Sequence, residues 1–134
     1  MMVMKTTWFA GACVMAAWAM FAGSAAAAPP QPRRVLRHIV MYEFKSDQTP
    51  ERVQEVVDAF RGLPSQIEAI LDFECGTNVS REGKSQGFTH VFVVTFADEA
   101  SLAEYLKHPA HLKYVDVVKD RREKVVVFDY WADR

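Results

Sequence analysis

Four histidines, His38, His90, His108 and His111, together with Tyr105, are the side chains of this chain best suited to proton chemistry. Neutral imidazole both donates and accepts a hydrogen bond and titrates at about pH 6.5, so it can move protons at neutral pH. His38 and His90 fall in two alternating segments, Leu36–Phe44 and Phe88–Phe96, each in phase with Leu, Val, Tyr or Phe. A single histidine on such a face is commonly a hydrogen-bonded core residue. Two on separate strands in the same phase suggest a shared polar site inside an apolar space. His108 and His111 stand in Lys107-His108-Pro109-Ala110-His111. Their spacing would suit one helical face, but Pro109 disturbs the register and no third ligand is identified, so no metal is expected. The chain has no Gly-x-Ser-x-Gly, no phosphate-binding glycine loop, no paired cysteines and no haem-attachment motif, and no cofactor is expected.

The elements that must position these groups follow from periodicity. Leu36–Phe44 alternates with period two, placing Leu36, His38, Val40, Tyr42 and Phe44 on one side and Ile39 and Met41 on the other. Thr49-Pro50-Glu51 opens a helix by capping, by proline at its first position and by a carboxylate in its first turn. Val53, Val56, Val57 and Phe60 give it one apolar stripe, and Gly62 and Pro64 end it. A second strand lies within Ile67–Asn78, where Cys75 is expected as a buried, inert thiol. After a polar loop, Phe88–Phe96 is the third strand. Asp98 caps a helix carrying Leu102, Tyr105 and Leu106, which breaks near Pro109 and resumes from Ala110 towards Arg122; Val125–Tyr130 is the fourth strand.

The order β-α-β-β-α-β predicts an α+β fold, a ferredoxin-like protomer with a four-stranded antiparallel sheet and helices on one face. Both faces of that sheet are apolar, since Ile39, Met41, Val91 and Val93 stand opposite the helix-facing set. A solvated face would alternate with polar groups. A second copy is therefore expected to cover it, giving a homodimer with two sheets face to face.

The chain has 134 residues, half of them hydrophobic and a quarter charged, the balance of a soluble globular domain. Residues 1–28 contain one charged residue, Lys5, then an apolar stretch from Trp8 to Phe21 and the run Ala25-Ala26-Ala27-Ala28. This is the pattern of a signal peptide cleaved after Ala27 or Ala28, and Pro29-Pro30-Gln31-Pro32 begins a stiff linker over 29–35. A periplasmic or secreted protein is expected, with no membrane attachment once the leader is cleaved. Loss of Lys5 takes the formal net charge from −1 to −2, which disfavours nucleic acid as a partner. Cys75 is then the sole cysteine, so no intramolecular disulfide can form.

Arg37-His38-Ile39-Val40, the block Ser85–Phe96, the block Tyr105-Leu106-Lys107-His108-Pro109-Ala110-His111 and the ending Val127-Phe128-Asp129-Tyr130 resemble the stress-responsive dimeric α/β-barrel (Dabb) family, over a domain at 36–131. The resemblance implies a ferredoxin-like protomer and a dimer whose two sheets form a barrel. It also implies a pocket between sheet and helices, where one plant polyketide cyclase of the family uses a tyrosine and the second histidine of this block. The matching catalytic residues here are Tyr105 and His111, with His38 and His90 as ligand-binding groups orienting a small apolar or aromatic molecule. The expected function is binding of such a molecule. The alternatives are a cofactor-independent cyclase, lyase or isomerase, and a stress-protective dimer with no ligand. The leader predicts that the chain recovered from its native host begins at Ala28 or Pro29 by mass spectrometry, and a chain retaining Met1 would contradict it.

Overall fold

The computed structural model describes residues 34–134; the expected signal peptide and most of the expected linker lie outside them. Along the described residues the order is β1 (Arg34–Phe44), α1 (Pro50–Arg61), β2 (Asp72–Thr77), β3 (His90–Phe96), α2 (Glu99–Lys107), α3 (Pro109–Val118) and β4 (Arg122–Asp133). The strands form one antiparallel sheet in the order β2-β3-β1-β4, the ferredoxin-like arrangement. β1 is central. It pairs Leu36 with Phe96 and Tyr42 with His90 on one edge, and His38 with Asp129 and Met41 with Val126 on the other.

Local chemistry sets the helix ends. Thr49 Oγ1 accepts from the Arg52 N–H, and Asp98 Oδ1 accepts from the Ser101 N–H at 2.8 Å, each satisfying an amide with no partner inside its helix. The break at Pro109 has an equally local cause. A residue before proline is pushed out of the helical region, and His108 is extended (φ −65°, ψ 135°). Its Nδ1 accepts from the Ala110 N–H at 3.1 Å, so this histidine serves as the N-cap of α3.

The core lies between the helices and the inner sides of β1 and β3. Val40, Tyr42, Phe92, Val94 and Phe96 meet Val56, Phe60, Leu63, Ile67, Leu102, Tyr105, Tyr114 and Val118. Phe60 stacks on Phe92 at 4.5 Å and lies 4.6 Å from Tyr114 between ring centroids. β4 contributes no fully buried residue, and its inward-phase Val127 is 53% exposed, so the helices leave that edge strand uncovered. On the outer face Ile39, Met41, Val91 and Val93 are half-buried while Phe128 and Tyr130 are exposed.

Three expectations are corrected. α3 stops at Val118 instead of running towards Arg122, because Arg122 pairs with Phe44 and opens β4. Leu106 is 44% exposed although Tyr105 is buried: one residue is about 100° around a helix, and the inward stripe passes through Leu102 and Tyr105. Cys75 is half-buried on the edge strand β2, where its Sγ lies 3.3 Å from the Arg61 Nε–H donor.

Candidate functional site

β1, β4, α2 and α3 bring four chemistry-bearing side chains together. His38 is an inward residue of β1, 4% exposed, directly opposite Asp129 of β4. A carboxylate only accepts, so the His38 Nδ1–H donates to Asp129 Oδ1, at 2.6 Å. In the neutral ring this fixes the tautomer and leaves Nε2 as an acceptor. The Tyr105 ring, brought in by α2, lies 5.8 Å from His38 and 5.1 Å from Phe96. On the first turns of α3 the His111 ring is 4.3 Å from Tyr105, and its Nδ1–H donates to the Leu106 carbonyl at 3.3 Å. Again Nε2 is left as the acceptor.

The electrostatics suit neutral donors and acceptors. Burial pushes the Tyr105 hydroxyl far above the ordinary range of a phenol, with Tyr42 adding to the effect, so it stays protonated. Burial holds His111 below the usual imidazole value, opposed by the bond to Leu106 and assisted by nearby His38, so it is neutral at pH 7. Tyr105 is 1% exposed as a residue and its hydroxyl makes no hydrogen bond among the described residues, but the fully enclosed side-chain polar atom without a hydrogen-bond partner among them is Glu43 Oε2, so this hydroxyl is not sealed from solvent. The Tyr114 hydroxyl, by contrast, donates to the Tyr42 oxygen at 2.9 Å, and burial raises both phenols.

The sequence-derived residues therefore separate. His38, Tyr105 and His111 converge, and all lie on the helix side of the sheet. His90 shares that phase but sits opposite Tyr42, four residues along the strand from His38, which is about 13 Å. Its ring packs edge-on against Phe44 at 5.1 Å, and its Nδ1 meets Thr89 Oγ1 at 2.8 Å. Three depressions in the described surface are lined by other residues, none by His38, Tyr105 or His111. Half-exposed His111 is the trio's route to solvent. Asp129 is the residue of this cluster that sequence reasoning missed. Its signal was an acid at an inward-phase position of an apolar strand, legible only once β4 is aligned with β1. Among the described residues no group of His, Cys, Asp or Glu is arranged to hold a metal ion.

Burial depresses both His90 and His111, so the folded chain binds these protons less readily than the unfolded chain. Stability from this source is complete above about pH 6.5 and is lost as the pH falls through that value towards the folded pKa values. Denaturant midpoints should fall between about pH 7.5 and pH 5.5, and the fall should be shallower in H90Q/H111Q. Parallel profiles for the two proteins would contradict this.

The comparisons with known proteins bear on the family and the fold. The model of the Stress responsive A/B Barrel Domain matches residues 36–132. The stress-response A/B barrel domain-containing protein HS1 of Arabidopsis thaliana is 35% identical over 95 residues, 71% of this chain and 87% of that protein. Olivetolic acid cyclase of Cannabis sativa is 32% identical over 95 residues, 71% of this chain and 94% of the cyclase. A solved dimeric ferredoxin-like protein of unknown function from Jannaschia sp. CCS1 superposes with a TM-score of 0.63 at 29% identity, covering 72% of this chain and 97% of that one. With its family model spanning nearly every described residue, the chain belongs to the stress-responsive A/B barrel (Dabb) domain family.

Proposed function

We propose that this chain is an exported, homodimeric Dabb protein that binds a small, partly aromatic organic molecule against Tyr105, His111 and His38. The observation that carries the reading is the Tyr105 phenol, set between two imidazoles on an almost wholly buried side chain and with no hydrogen bond from its hydroxyl among the described residues. A ligand carbonyl oxygen would complete that donor, and the apolar surroundings of Phe96 and Leu102 would take the rest of the molecule. The role in export rests on the leader pattern of residues 1–28.

A second reading, cofactor-independent lyase, isomerase or cyclase chemistry, is favoured by the 4.3 Å contact between Tyr105 and His111. His111, neutral through burial, would take a proton from a carbon beside the ligand carbonyl, and Tyr105 would hydrogen-bond the enolate oxygen as charge develops. The similarity to olivetolic acid cyclase supports this reading.

The probe is 1-phenylbutane-1,3-dione, an enolisable aryl ketone. Its binding should saturate, and Tyr105→Phe should weaken it about tenfold, the worth of one hydrogen bond in a desolvated site. Because that hydroxyl has no hydrogen bond among the described residues, the same variant should keep its melting temperature within a few degrees. Acceleration of the probe's α-hydrogen exchange in D₂O, lost in H111Q, would establish the catalytic reading. An absence of saturable binding, or a Tyr105→Phe variant that binds equally but melts much earlier, would favour the stress-protective dimer with no ligand.

The homodimer rests on the apolar outer face of the sheet and on the dimeric relative of similar fold. A stable interface of this kind buries more than about 1,000 Å² in total. Sedimentation at tens of micromolar should give a dimer, and Val93→Asp, which sets a charge in the middle of that face, should give monomer or aggregate. A wild-type monomer under those conditions would remove the claim.

A further inference from the structure

Arg122 opens β4 on the same side of the sheet as the Tyr105 trio. The register shifts between Glu43 and Phe44, so that Lys124 pairs with Glu43 and Arg122 with Phe44, which leaves Glu123 as the extra residue and gives Arg122 the inward phase of Phe44. Its guanidinium lies 5.8 Å from the centre of the Tyr42 ring. Among the described residues it is the half-buried arginine with neither an ion pair nor a hydrogen bond. The other half-buried arginines are satisfied. Arg121 donates to Glu55 Oε2 at 2.6 Å and to the Arg52 carbonyl at 2.8 Å, and Arg37 donates to Thr95 Oγ1 at 2.6 Å. A guanidinium carries five donors and a permanent charge, so one partly withdrawn from water is best matched by an anionic acceptor.

From Arg122 an apolar strip leads to the trio. Val125 and Val127 stand opposite Tyr42 and Val40 in the inward phase, yet both are exposed because the helices leave this edge strand uncovered. The next inward position is Asp129, bonded to His38. This strip is on the helix side of the sheet, away from the outer face assigned to the dimer. The Arg122 charge reaches along it. Burial pushes the Tyr42 phenol up, opposed by the bond from Tyr114 and by Arg122, and Arg122 also opposes the rise at Tyr114, whose ring lies 6.4 Å from His111.

From the unpaired cation, the exposed valines and their continuity with the trio, we infer that the molecule bound at Tyr105 is an oxo carboxylic acid, its carboxylate paired with Arg122, its chain on Val125 and Val127 and its carbonyl at Tyr105. This rests on the Tyr105 reading and names the class of molecule that the site takes. The Asp129 carboxylate sets the direction, since it repels a second carboxylate at the trio end. The geometry also sets the length. Val125 and Asp129 are four residues apart, about 13 Å along the strand. With about 3 Å taken by the charge-assisted contact at Arg122, about six methylenes in a staggered chain separate carbonyl from carboxylate.

The test is a ¹H–¹⁵N NMR titration with 8-oxo-8-phenyloctanoate and, in parallel, its neutral primary amide. The acid should shift the Val125 and Val127 amides saturably and bind about fivefold tighter than the amide, the worth of one partly exposed ion pair. That preference should collapse to parity in R122Q and persist in R122K, which keeps the charge; the spectra themselves verify the fold. The shorter 4-oxo-4-phenylbutanoate cannot span the strip and should show no preference over its own amide. Equal binding of the long acid and its amide to the wild-type protein, or a preference that survives in R122Q, would overturn the inference. So would an Arg122-dependent preference indifferent to Tyr105→Phe, which would detach the anion from the trio. Saturable binding of 1-phenylbutane-1,3-dione beside equal binding of acid and amide would sink this inference alone, whereas failure of the dione and both long probes would sink the Tyr105 reading with it.

Discussion

The bond between His38 and Asp129 is the interaction on which the arrangement of the candidate site depends. β1 is the central strand and its inward side chains are buried, so a polar ring placed there must be paired or it costs the fold the full price of its desolvation. The antiparallel register of β1 and β4 sets Asp129 directly opposite His38, and the 2.6 Å bond meets that requirement while fixing the ring's orientation. With His38 held, α2 sets Tyr105 against it and α3 adds His111, because the extended residue before Pro109 turns the chain between the two helices. Asp129 itself is 40% exposed on its side chain, so the pair joins a buried ring to the protein's edge.

The contrast between the two tyrosine environments is informative. Tyr42 and Tyr114 satisfy one another in the core, as buried phenols generally do. Tyr105 is equally buried as a residue, but its hydroxyl makes no hydrogen bond among the described residues and is not fully enclosed. Hydroxyls are easily partnered by a neighbouring carbonyl or ring nitrogen, and here two imidazoles are close but spend their Nδ1 protons on Asp129 and on the Leu106 carbonyl. A phenol beside two imidazoles, among the apolar groups Phe96 and Leu102, is a polar anchor of the kind small-ligand sites use.

Much of the fold was legible in the sequence, for identifiable reasons. Period-two alternation located β1 and β3, and the caps at Thr49 and Asp98 located the starts of α1 and α2, because each signal depends only on near neighbours. The end of α3 was not legible, since Arg122 joins a strand through pairing with Phe44, a partner far away in sequence. Leu106 was misplaced because it lies at the edge of the stripe through Leu102 and Tyr105, where a residue can be buried, as Val57 is beside Val56 on α1, or exposed, and periodicity over one turn does not say which. At the site, phase put His38 and His90 on the same side of the sheet, but it says nothing about distance along the strands, and it is distance that sets His90 apart. Asp129 needed the β1–β4 register, which no local pattern encodes.

The most direct test of this account is the ¹⁵N NMR spectrum of the imidazole nitrogens of His38. Two inequivalent signals are expected, a protonated Nδ1 and an unprotonated Nε2, with the Nδ1 proton strongly deshielded by Asp129; in D129A that proton signal should vanish and the tautomer preference should collapse, while His111 keeps its Nδ1–H. A His38 protonated on Nε2 in the wild-type protein, or a spectrum indifferent to the loss of Asp129, would contradict the claim that this pair fixes the ring beside Tyr105.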